Sequence, residues 1–178
     1  MERKGHYIRT FTGKQYWPMD PRAEDICIED VAHALSNLCR FTGHTSRFYS
    51  VAEHSLYVST LVPSALAFAG LMHDAHEAYV NDIARPFKLS LPEYKAAEDW
   101  NWLAMAEAFD LDPKQDREIK EADNAMFRAE RLQLMPVTPL TQGDIVVDGF
   151  TPELPTLGML PFLAETEFLQ RFYDLKSE

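Results

Sequence analysis

His73-Asp74, followed by Glu77 and Asp82, preceded by His54 and joined further along by Asp123, sets imidazoles and carboxylates at spacings that helices can bring to one point. His54, His73, Asp74 and Asp123 together make a mixed nitrogen and oxygen donor set, which suits Mn, Co, Fe, Ni or Zn better than soft thiolates would. With four protein ligands an octahedral ion keeps two positions for water and a phosphate oxygen. Open positions are what separate a catalytic site from a structural one. The chemistry expected is hydrolysis assisted by a divalent metal.

The elements that must position these groups can be read from the same stretch. Ser50 is placed to cap a helix that carries His54, with Glu53 three residues on completing a capping box. Pro63 ends that helix, Ser64 is placed to cap the next, and the second helix is predicted through Leu66, Phe68, Leu71 and Met72 to about Tyr79. His54 lies nine residues before Pro63 and His73 ten after it. At 1.5 Å per residue both imidazoles sit roughly 14–15 Å from the bend, level across an antiparallel helix pair. Glu77, four residues after His73, is expected on the same face one turn on. Asp123 comes from a third helix, apolar at helical spacing through Ile119, Ala122, Met126, Ala129 and Leu132. A single histidine on an amphipathic helix is ordinarily structural; the level partner and the third helix reverse that reading here.

The pattern His54, His73-Asp74, Asp123 resembles the HD-domain metal-dependent phosphohydrolases. Within them, Glu53-His54-Ser55, His73-Asp74-Ala75-His76-Glu77, Asp82, Pro86, Lys88 and Lys120-Glu121-Ala122-Asp123 look like the 5'-deoxynucleotidase branch. The same elements occur in small phage-encoded enzymes that strip triphosphate from dATP. The resemblance covers about residues 28–135 and rests on five spaced elements in order. The interval from His54 to His73 is shorter than in the cellular deoxynucleotidases and favours the compact phage-like subgroup.

The resemblance implies an all-α fold, an HD-domain helical bundle, with one metal per subunit on His54, His73, Asp74 and Asp123. A second metal, or Mg on the phosphates, is compatible with it. Glu77 and Asp82 would orient and deprotonate water, Lys88 and Lys120 would bind phosphate, Arg40-Phe41 would hold sugar and base, and Pro86 would wall the base. His44 and Arg47 are added from their chemistry alone, as donors on a glycine-bearing loop before the metal helix. The implied reaction converts a deoxynucleoside triphosphate, dATP favoured, to deoxynucleoside and tripolyphosphate; the alternative is a 5'-deoxynucleotidase acting on monophosphates. A cyclic-nucleotide phosphodiesterase is disfavoured because no histidine follows His76. A non-catalytic nucleotide-binding protein would not need Glu77 and Asp82 beside the ligands.

The formal net charge of −11 opposes stable nucleic-acid binding, which needs a basic stripe. Arg40, Arg47, Arg85, Lys88 and Lys120 nevertheless cluster in the motif segments, as expected for a small anionic substrate. At 178 residues, 46% hydrophobic and 25% charged, the chain suits one domain. Cys27 and Cys39 form no CxxC and are expected reduced. No apolar run approaches the ~20 residues of a membrane span, and no signal-peptide core is seen, so the expected compartment is cytoplasm, bacterial or phage-infected.

Residues 7–17 are predicted to form a small N-terminal β-hairpin. Helices are predicted over Ile28–Leu38, about Glu93–Phe109 and about Leu163–Leu175, with a proline-rich irregular stretch at 135–161. The resemblance implies a homo-oligomer, with Phe168, Phe172 and Tyr173 as candidate contacts.

Overall fold

The computed structural model describes residues 2–136, 138 and 149–177. The fold is all-α with one small two-stranded hairpin. β1 (Ile8–Arg9) and β2 (Gln15–Tyr16) pair antiparallel, Ile8 opposite Tyr16. Gly13, at φ +89°, makes the turn possible. Tyr16 is fully buried, stacks on Tyr79 at 3.7 Å and donates to Asn101 Oδ1 at 2.6 Å. Thr12 donates through its N–H and hydroxyl to Asp30, so the hairpin is tied to the helices at both ends.

α1 (Ile28–Asn37) turns Val31, Ala32 and Leu35 fully inward. α2 (Val51–Leu61) begins at Ser50, whose hydroxyl accepts from the Glu53 N–H at 3.1 Å. Only this half of the expected capping box forms. The Glu53 carboxylate instead accepts from the N–H groups of Gly158 and Met159, the latter at 2.7 Å. Ser64 caps nothing; it lies inside a 3-10 turn over Ser64–Leu66 that leads into α3 (Ala67–Met72).

The predicted second helix does not run unbroken to Tyr79. Between α3 and α4 (Glu77–Val80) the chain tightens: Ala75 N–H bonds Met72 O and Glu77 N–H bonds Asp74 O. At this break the His73 carbonyl accepts from the side-chain amide of Gln115 at 2.8 Å. The continuation is α5 (Arg85–Lys88, with Pro86 in its first turn), α6 (Pro92–Phe109), α7 (Arg117–Leu134, capped by Asp116) and α8 (Pro161–Ser177). Pro136 and residues 149–160 are irregular, as expected, whereas Pro139 lies outside the described residues.

The main core joins α1, α2, α3, α6 and α8 through Leu35, Leu71, Met72, Met105 and Phe168. A second cluster, Val58, Val62, Ile119, Ala122 and Met126, welds α2 to α7. Leu132 is 51% exposed and does not belong to the buried face of α7; Glu130 and Leu134 do. Phe168 and Phe172 are spent inside this core, so they cannot form the expected intersubunit contacts; Tyr173 is exposed. Each large apolar side chain so buried contributes ~1.5–3 kcal/mol. Among the described residues no helix is long and apolar enough to cross a membrane.

α2 and α3 come close at Gly70, where an added Cβ would meet Val62 Cγ2 at 3.1 Å and the Ser59 Cα at 3.3 Å. Gly70→Val must therefore pry the two helices apart. It is expected to lower the urea midpoint by the equivalent of ~1–3 kcal/mol, the usual cost of overpacking, as read by circular dichroism.

Candidate metal centre

α2 supplies His54, the end of α3 supplies His73 and Asp74, and α7 supplies Asp123. His54 Nε2 and His73 Nε2 face each other at 3.3 Å, confirming the level placement that the spacing predicts. Asp123 Oδ1 is 3.4 Å from His54 Nε2. Asp74 Oδ2 is 3.0 Å from His73 Nε2 and 3.8 Å from His54 Nε2. One donor atom each from His54, His73 and Asp123 lies within 4.8 Å of the others, a group that could hold a metal ion.

The donor set fits a cation on its own chemistry. His73 Nδ1 donates to the Gly70 carbonyl at 2.9 Å and His54 Nδ1 to Glu130 Oε1 at 2.5 Å, since neither partner can donate. With both Nδ1 atoms protonated, neutral imidazoles would point two lone pairs at each other, and something positive must sit between them. Two nitrogens each about 2.1 Å from one ion stand roughly 3.0–3.4 Å apart at octahedral to tetrahedral angles, which matches the 3.3 Å found. In the metal-free protein a proton serves. Burial and Arg40 oppose the charge on His54, but Glu130 and Asp123 outweigh them and hold its pKa up at about 9.

The surrounding charges divide sharply. Burial works against ionised Asp74 and Asp123, yet the imidazoles, with Arg40 beside Asp74, hold both well below the usual carboxylate range. Glu77 and Asp82 go the other way. Burial and the charge of Asp74 push both up, Glu77 far up, and Glu77 Oε2 is buried with no hydrogen-bond partner. Two carboxyls with raised proton affinity thus stand beside two with lowered proton affinity, a division that lets neighbouring acids take different roles.

Arg40 is not free for a ligand: its guanidinium is buried, 3.2 Å from Glu130 Oε2 and 3.8 Å from Asp74 Oδ2. Phe41 and Thr42 follow it in left-handed conformation, and Phe41 stacks on Phe127 at 5.8 Å. Lys120 pairs with Asp123 Oδ2 and Lys88 with Glu98 Oε1, each at 2.6 Å. Pro86 is exposed at the start of α5. His44 and Arg47 are exposed, and among the described residues no hydrogen bond or ion pair ties their side chains to the four donors. Arg47 lies against Gly158, where a Cβ would meet its Cδ at 2.4 Å.

Glu130 is the member the sequence reading missed. It is fully buried and accepts from His54, Arg40 and Tyr49. Its signal was present: it lies two helical turns, seven residues, beyond Asp123 and so on the same face of α7. A cleft of about 700 Å³ between the end of α2 and the start of α7 is lined by Leu61, Arg117, Glu121 and Phe150 among others, and none of the donors lines it.

Because a cation must take the His54 lone pair, binding is expected to release a proton below the His54 pKa of about 9. Calorimetry of Zn²⁺ or Mn²⁺ binding in two buffers of different ionisation enthalpy should report about one proton per site near pH 7 and none well above pH 9. No release at neutral pH would remove His54 from the ligand set.

No family model matches the chain. The chain is 40% identical over 173 residues to the uncharacterized protein YfdR of Escherichia coli strain K12, covering 95% of each. It is 34% identical over 145 residues to the uncharacterized protein RCAP_rcc00048 of Rhodobacter capsulatus, covering 74% of each. On identity and coverage together, the chain belongs to the family of Escherichia coli YfdR.

Proposed function

We propose that the chain is a metal-dependent phosphohydrolase acting on deoxynucleotides, with His54, His73, Asp74 and Asp123 as the ligands. The carrying observation is the convergence of two imidazole Nε2 atoms and two low-pKa carboxylates beside Glu77, a buried carboxyl whose proton affinity is raised. The motif resemblance to HD-domain phosphohydrolases supports the same reading. A bound divalent ion would supply Lewis acidity toward a phosphoryl oxygen and toward water. Glu77 is suited to accept the proton of the attacking water, because burial and neighbouring carboxylates raise its proton affinity. Asp82, also raised, would orient that water. Lys120 can turn from Asp123 to a phosphate, and Lys88 stands in the field of Glu77 and Asp74. With Arg40 held by Glu130 and Asp74, contact with the sugar or base falls to Phe41.

The favoured substrate is a deoxynucleoside triphosphate, dATP first, giving deoxynucleoside and tripolyphosphate. One observation favours a second reading, a 5'-deoxynucleotidase. Arg40, Lys88 and Lys120 each already meet a carboxylate within 2.6–3.2 Å, which leaves less positive charge for β- and γ-phosphates.

Incubation with Mn²⁺ or Co²⁺ and a panel of deoxynucleoside mono- and triphosphates, followed by chromatography of the products, separates the two. Tripolyphosphate establishes the first reading, orthophosphate from monophosphates alone the second, and no turnover with metal bound removes both. Glu77→Ala is expected to keep the metal and slow turnover by roughly 10²–10⁴; full activity would remove Glu77 from the proton transfer.

A further inference from the structure

Glu130 spends both carboxylate oxygens on three donors. Oε1 accepts from His54 Nδ1 at 2.5 Å and from the Tyr49 hydroxyl at 2.9 Å, and Oε2 accepts from Arg40 at 3.2 Å. The other terminal nitrogen of the same guanidinium lies 3.8 Å from Asp74 Oδ2. The network therefore ends on two of the four proposed ligands, His54 through Glu130 and Asp74 through Arg40. A salt bridge that only stabilised the fold would have no reason to terminate on both. Tyr49 is fully buried at the chain's entry to α2, and Glu130 is fully buried on α7, so neither group has water as an alternative partner.

An imidazole that donates Nδ1–H to a fixed carboxylate has one tautomer and one ring orientation, with Nε2 presented as a lone pair. We propose that Glu130 is a positioning residue that sets the tautomer and direction of His54 for cation binding, and that Arg40 and Tyr49 hold Glu130 in that task. Arg40 is thereby assigned to the support of the site and not to the substrate. His73 has the weaker counterpart of this arrangement, its Nδ1 held by the Gly70 carbonyl of its own helix. The inference rests on the cation-binding reading above, but not on which reaction follows.

Glu130→Gln is the informative variant because it keeps the shape. His54 Nδ1–H faces one oxygen and the Arg40 guanidinium the other, so whichever way the amide turns, its NH₂ faces an N–H. Titration with Zn²⁺ and Mn²⁺ by calorimetry, alongside the ¹⁵N shifts of the His54 ring, reads metal affinity and tautomer without any turnover. The expected result is a folded protein by circular dichroism whose affinity falls about 10–100-fold, the usual effect of losing such a partner, and, at a pH where the metal-free ring is neutral, a His54 no longer held as the single Nδ1–H form. Wild-type affinity with an unchanged ring pattern overturns the proposal. Should Glu130→Gln fail to fold, Tyr49→Phe removes one support and leaves the carboxylate; a measurable weakening of metal binding is expected, and unchanged affinity with an unchanged tautomer overturns the proposal. Wild type that binds neither ion would instead defeat the cation-binding reading itself, a result separable from a selective loss in the variants.

Discussion

Two imidazole nitrogens held 3.3 Å apart, with both opposite ring nitrogens already committed as donors, create an electrostatic demand that the protein must meet with positive charge. Asp74 and Asp123 deepen the demand, and their ionised state depends on its being met. Behind this pair stands Glu130, whose charge Arg40 and His54 hold down to a pKa of about 2 against its burial. Removing one partner from such a buried pair typically costs ~3–5 kcal/mol, so the second layer of charge is as constrained as the first.

Keeping these groups in place falls to packing far from polar chemistry. α2 and α3 approach closely only because residue 70 has no side chain, and α8 lays Phe168 and Phe172 into the core they share with α1. Arg171 of α8 donates to the hydroxyl of Ser59, which in turn donates to the Ala67 carbonyl, stitching three helices at the bend. On the other side, Tyr16 stacks on Tyr79, and Tyr94 donates to the carbonyls of Val80 and Asn81. Those contacts fix the short α4 that carries Glu77 and the left-handed Asn81 before Asp82.

Much of the fold was legible because it is local. Helical period and proline breaks located α1, α2, α6, α7 and α8 to within a few residues, and counting from Pro63 put the two histidines level. What was illegible depends on distant partners. At the break after Met72 the His73 carbonyl is met by Gln115, 42 residues away. Glu53 reads as half a capping box until Gly158 and Met159 arrive to take its carboxylate. Glu130 reads as a solvated helix glutamate until Arg40, 90 positions earlier, neutralises it. Leu132 looked equally suited to the core because spacing alone does not say which neighbour a helix face will meet.

The separation of the ligands along the chain has a kinetic corollary. His54 and His73 are 19 residues apart across one tight bend, whereas Glu130 is 76 residues from His54. Short loops close cheaply and early, long ones late. The pair of imidazoles can thus assemble with the α2–α3 hairpin, while Asp123 and Glu130 come only when α7 docks. In the native state the same division works in reverse. A local opening of α7 would strip away a candidate anionic ligand and the carboxylate bonded to His54 in one event, so the residence time of any cation bound there would be tied to how often that single helix lets go.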